Sequence, residues 1–105
     1  MSTGNPIACN LNAISPPDRP RYHQLVRRIR AAMTHRDELP NGYAYPLHPS
    51  AIPMPEAAEW ITMETLCCPF LTLQLTVSGH QQHYVLTLTG PDGIKPLLDI
   101  EFPIV

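Results

Sequence analysis

Residues 71–90 read LTLQLTVSGHQQHYVLTLTG, and their reading decides the fold. Leu71, Leu73, Leu75 and Val77 alternate with Thr72, Gln74, Thr76 and Ser78. After the polar loop GHQQH, the same period of two returns with Tyr84, Leu86 and Leu88 on one side. Successive side chains on a strand point to opposite faces, so the stretch predicts a hairpin with one apolar and one polar face. Such a sheet must bury its apolar face under a second layer.

The material for that layer lies on both sides of the hairpin. Tyr22, Leu25, Val26, Ile29, Ala32 and Met33 recur at the three- and four-residue spacing of a helical stripe. This helix starts either at Ser15, with Pro16 in the first turn, or at Asp18, because Pro20 deep inside a helix would delete a hydrogen bond. It stops before LPNG, a turn signal. A second helix runs from Pro55 to about Cys67, with Glu56 and Glu59 near its positive end, and Pro69 terminates it. GPDG (90–93) opens a third, short helix carrying Ile94, Leu97 and Leu98, with Asp92 as its expected N-cap.

Two further strands are expected. Residues 6–14, PIACNLNAI, alternate Ile7, Cys9 and Leu11 with Asn10 and Asn12. GYAYPLHP (42–49) is a short extended piece that Pro46 assigns to a sheet edge or a strand end. The order is then β-α-β-α-β-β-α. It describes one domain over 1–105, an α+β two-layer sandwich with a small mixed sheet and helices on one face.

Composition bounds the function. Hydrophobic residues make up 44% and charged residues 15%, the balance of a globular chain. A formal net charge of −2 gives no electrostatic claim on nucleic acid or an anionic membrane. No apolar run approaches the roughly 18 residues of a membrane span, and the start MSTGNPIACN lacks a secretory pattern. The three cysteines are an odd count. These features lead to the expectation of a cytoplasmic protein with free thiols.

The chemistry concentrates at residues 64–70, ETLCCPF. On a helical wheel, Ala57, Ile61, Glu64 and Cys68 share one narrow arc, flanked by Trp60 and Cys67. Glu64 thus sits on the face expected to be buried, where a carboxylate costs several kcal/mol unless it is paired or protonated. Six of the seven basic residues (Arg19, Arg21, Arg27, Arg28, Arg30, Arg36) lie on or beside the first helix, so a structural Glu64–Arg pair is the plain reading. The sharper reading is that Glu64 serves the thiols as partner, proton acceptor or ligand.

Free cysteines commonly act as small core hydrophobes. Here Cys67 and Cys68 are adjacent, the break at Pro69 frees Cys68 to turn towards Cys67, and Cys9 points inward from the expected first strand. Three converging thiolates suit a soft cation or metalloid: Cu(I), Hg(II), As(III), or Zn(II) with a fourth ligand. Redox catalysis is less well served, since no C-x-x-C opens a helix and a thiol near a helix C-terminus is held back from ionising. His80 and His83 form an H-x-x-H across the hairpin loop, a common loop-tip pattern; His23, His35 and His48 read as surface groups.

The segments from Cys9 (CNLNAI), ELPNGYAY, AAEWITMETLCCPFLTLQL and LTGPDGIKPLL together resemble a family of small, uncharacterised bacterial proteins, over nearly the whole chain. The E-x-x-C-C-P-F segment (Glu64, Cys67, Cys68, Pro69, Phe70) is the most specific part of the likeness. It is also similar to segments in the ligand-sensing tails of some mercury-resistance-type regulators, which implies soft-metal or thiol-reactive ligands. This chain has no helix-turn-helix region of the kind such regulators use.

Three functions follow from these residues. The first is a binding protein for a thiophilic metal or metalloid, with Cys9, Cys67 and Cys68 as sulfur ligands and Glu64 as ligand or supporting group. The second is a thiol enzyme with Cys68 as nucleophile and Glu64 as base. The third is a structural or interaction module with buried cysteines, a homodimer through Leu66, Met63 or a free sheet edge. The distance of the Cys9 sulfur from Cys67 and Cys68 discriminates among them.

Overall fold

The computed structural model describes residues 8–104. Three helices, α1 (Arg19–Ala32), α2 (Met54–Cys67) and α3 (Ile94–Glu101), accompany four strands: β1 (Asp37–Leu39), β2 (Gly42–Leu47), β3 (Thr72–Thr76) and β4 (Tyr84–Thr89). The α+β sandwich is therefore as expected. From β2 onwards the strand–helix–strand–strand–helix order follows the sequence reading.

The strands form one sheet in the order β1-β2-β4-β3, and every neighbouring pair is antiparallel. Register carries the apolar face across the sheet. Leu88 faces both Tyr43 and Leu73, Leu86 faces both Tyr45 and Leu75, and Leu47 faces Tyr84. The opposite face carries Ala44, Pro46, Thr72, Gln74, Thr76, Val85, Thr87 and Thr89, none of them fully buried. Helix α2 packs on β3, α3 on β2, and α1 on α2, so the helical layer closes over the apolar face.

Helix α1 buries Tyr22, Leu25, Val26, Ile29 and Ala32, as its spacing predicts, and Asp18 stands at its N-cap. The Asp18 carboxylate caps no backbone amide and accepts the Ser15 hydroxyl instead, at 2.7 Å. Helix α2 buries Ala57, Trp60, Glu64 and Cys67, positions three and four apart along one face. Trp60 is wholly buried, with its ring edge-on to Phe102 at 5.6 Å. The N-cap of α3 is Gly93, at φ 92°, rather than Asp92, because this turn needs the left-handed backbone that glycine adopts freely.

Two expectations change. Residues 6 and 7 of the expected first strand lie outside the described residues. The remainder, 8–14, joins no sheet: Leu11–Ala13 is a 3-10 turn, started by the Asn10 side chain accepting from the Asn12 amide at 3.1 Å. Asparagine's side chain competes with the sheet ladder for the backbone, and here it wins. With no strand contributed from residues 8–14, the sheet among the described residues is antiparallel rather than mixed. Strand β2 lies inside the sheet, yet β1 stops opposite Ala44, so at Pro46 only β4 stands alongside. Proline is tolerated there because the strand is locally an edge.

Candidate metal centre

Three pieces of chain meet at the C-terminal end of α2. Pro69 disfavours helical geometry at the residue before it, and Cys68 leaves the helix at φ −129° and ψ 67°. Its amide still donates to the Glu64 carbonyl at 2.7 Å, so the turn stays tight. The segment before the first 3-10 turn crosses this helix end, and the Asn10 amide donates to the Cys67 carbonyl at 2.8 Å. That bond satisfies a carbonyl which the helix end leaves without an internal partner. It also brings Cys9 alongside Cys68, with Cα atoms 4.7 Å apart.

Cys9 and Cys68 are joined in a disulfide, and Cys67 is a free, buried thiol. The expectation of three free thiols is thereby corrected. An odd count requires only one unpaired cysteine, and the tie between Asn10 and Cys67 places the other two within bonding reach. The Cys67 sulfur lies 3.6 Å from the Cys68 sulfur. All three sulfurs do meet, although Cys9 arrives on an irregular segment rather than on a sheet strand.

Glu64 completes the group. Its carboxylate is 1% exposed, and Oε1 lies 3.6 Å from the Cys67 sulfur. The Tyr22 hydroxyl, from α1, donates to that same oxygen at 2.7 Å and lies 3.6 Å from the Cys67 sulfur. One ligand atom from each of Cys9, Glu64, Cys67 and Cys68 falls within 4.8 Å of all the others. Among the described residues this is the one group of three or more potential metal ligands so arranged. His80 and His83 belong to no such group.

The expected Glu64–Arg pair is absent: no basic side chain among the described residues forms a salt bridge to Glu64. The arginines are engaged elsewhere. Arg21 binds Glu59 at 2.7 Å, Arg28 binds Glu56 at 3.0 Å, Arg30 binds Glu101 at 3.3 Å and Arg36 binds Asp99 at 2.8 Å. Arg19 donates to the Ile14 carbonyl at 2.9 Å. These contacts stitch α1 and the chain after it to α2 and α3 along their rims, where each ion pair adds little stability.

Burial dominates the electrostatics. It raises the Glu64 carboxyl above its usual range, against the opposing hydrogen bonds from Tyr22 and Cys67. It also pushes the Cys67 thiol up to about 11, with the neighbouring Glu64 adding to the effect. The Tyr22 hydroxyl is raised by burial first and by Glu64 second. Burial thus tilts all three groups towards their protonated, uncharged forms. A soft cation reverses that preference by replacing the thiol protons.

This arrangement bears directly on the enzyme reading. Glu64 contacts Cys67, not Cys68, and Cys68 is wholly buried and engaged in the disulfide. Cys68 as nucleophile with Glu64 as base has no matching contact here. Tyr22 is the residue of this cluster that sequence reasoning missed. Its signal was a hydroxyl carried on the buried stripe of α1, since a buried tyrosine hydroxyl usually finds a polar partner.

No helix among the described residues is long and apolar enough to cross a membrane. Comparison with protein-family models, with curated proteins and with solved structures finds no match for this chain.

Proposed function

We propose that the reduced protein binds a thiophilic metal or metalloid ion through Cys9, Cys67 and Cys68, with Glu64 as a fourth ligand or as a hydrogen-bonding support. The observation that carries this reading is Glu64: a buried carboxylate with no salt-bridged basic partner among the described residues, set among three sulfurs. Burying a carboxylate is costly, and the Tyr22 and Cys67 hydrogen bonds offset only part of that cost, since burial still raises the carboxyl. A cation at the centre of the group would compensate it. Reduction of the Cys9–Cys68 bond by two electrons and two protons frees the two further thiols that a soft ion requires. Three sulfurs with an optional oxygen suit Cu(I), Hg(II) and As(III) in a three-sulfur site, or Zn(II) in a four-ligand one. The resemblance of the ETLCCPF segment to ligand-sensing tails of some mercury-resistance-type regulators, taken as an analogy, implies the same ligand class.

A second reading, a thiol-disulfide module without a metal, is favoured by the disulfide itself and by the third sulfur 3.6 Å from it. A cytoplasmic location and a homodimer through the exposed Leu66 belong to the same proposal; reduced thiols persist in such a compartment. Native mass spectrometry of the reduced protein offered Cu(I), Zn(II), Hg(II) and As(III) separates the readings. One equivalent of at least one ion is expected to stay bound, and to be lost in Cys9→Ser, Cys67→Ser and Cys68→Ser. No stoichiometric binding of any of the four, or undiminished binding by all three variants, overturns the metal reading.

A further inference from the structure

The two cysteines of the disulfide differ in burial. Cys67 and Cys68 are 0% exposed, whereas Cys9 is only partly buried. Cys9 also lines a cavity of about 480 Å³ with Tyr22, His23, Arg30, Leu97 and Glu101. That volume falls within the range of small-molecule sites. Cys9, the less buried partner of the disulfide, is therefore part of the cavity wall, and Arg30 and Glu101, paired with each other at 3.3 Å, are also part of it.

We propose that this cavity docks a low-molecular-weight thiol bearing both carboxylate and ammonium groups, and that Cys9 is the sulfur at which it exchanges with the disulfide. Arg30 matches the carboxylate of such a thiol and Glu101 its ammonium group. The incoming thiolate attacks the Cys9 sulfur from the cavity, forming a mixed disulfide. The Cys9–Cys68 bond breaks, and its electron pair leaves on the Cys68 sulfur. That sulfur is released 3.6 Å from the Cys67 sulfur, within reach of its S–H. A second thiolate then attacks the outer sulfur of the mixed disulfide, releasing the Cys9 thiolate. Overall, two small thiols become one small disulfide, and the two protons they lose on ionising pass through solvent to Cys9 and Cys68, which end as thiols. Attack at Cys68 would require an approach through the core.

This inference needs the disulfide and the cavity but no metal, so it stands or falls separately from the metal reading. The oxidised full chain is treated with reduced glutathione, quenched with acid at short times, alkylated and mapped by mass spectrometry. Glutathione is expected on Cys9, with Cys68 alkylated. Glutathione on Cys68 or Cys67 overturns the proposal. The Arg30 side chain is 46% exposed, and Arg30→Gln is expected to preserve the fold. It should slow reduction by glutathione roughly tenfold at low ionic strength, the lower end of what a charged cleft adds to association rates. Reduction by uncharged 2-mercaptoethanol should be unchanged. Equal slowing of both reagents, or of neither, contradicts recognition of the small thiol's charges. Leu97→Trp, which fills the cavity, should slow both, and unchanged rates with an unchanged denaturation midpoint would refute the cavity as the route.

Discussion

At the scale of single residues, Glu64 is where sequence and structure speak most directly to each other. The helical wheel alone puts it on the buried face of α2, and it is 1% exposed. What the wheel does not provide is its partner. The arginines of α1 point to the rim, where Glu56, Glu59 and Glu101 take them. Tyr22 reaches Glu64 across 42 positions, a contact that no local pattern encodes. Burial raises the Glu64 carboxyl, so its protonated form stabilises the oxidised fold below the ordinary carboxylate range. That stability is lost as pH rises through the raised value. Glu64→Gln should therefore make the oxidised protein more stable at neutral pH, within the range of about 0.5–3 kcal/mol usual for single substitutions, and flatten this part of the profile. Urea denaturation of both proteins across acidic to neutral pH checks it. The same substitution should weaken metal retention by the reduced protein, so stability and binding move in opposite directions.

At the scale of elements, the long periodic segments were legible and the short or polar ones were not. The α1 stripe and the β3–β4 alternation carry enough apolar positions to define a face. Strand β1 is Asp37-Glu38-Leu39, too short and polar to show a period, although Asn41-Gly42 marks the turn that follows it. Residues 8–14 alternate like a strand but follow the capping of Asn10 and the tie to Cys67. Gly42 shows a constraint hidden from the sequence. It lies against β4, and a Cβ placed there would collide with the Leu88 backbone carbonyl. Backbone cannot swing aside as a side chain does. Gly42→Ala should accordingly cost about 1–3 kcal/mol, read as a lower urea midpoint with an unchanged slope. Trp60→Ala, which empties the space between α2 and Phe102, should cost about 3–5 kcal/mol in the same measurement.

At the scale of the whole molecule, the proposed metal site would draw on the same sulfurs that the disulfide joins. The sequence carried the convergence of Cys9 with Cys67 and Cys68 only as a conditional, because its premise was a central strand that does not form. The meeting point survives since another contact, Asn10 to the end of α2, supplies the approach. The bond spans 59 positions, and closing a loop of that length is worth about 4 kcal/mol in chain entropy. Reduction should therefore lower the melting temperature, and a metal bound by the folded form should restore part of the loss. Differential scanning calorimetry of oxidised, reduced and reduced metal-loaded protein tests this order. The most direct test of the central claim is X-ray absorption at the edge of the ion retained by the reduced protein, at one equivalent. Three sulfur neighbours are predicted, at about 2.3 Å if the ion is zinc, with or without one oxygen from Glu64. A first shell of nitrogen and oxygen alone, or with a single sulfur, would contradict it.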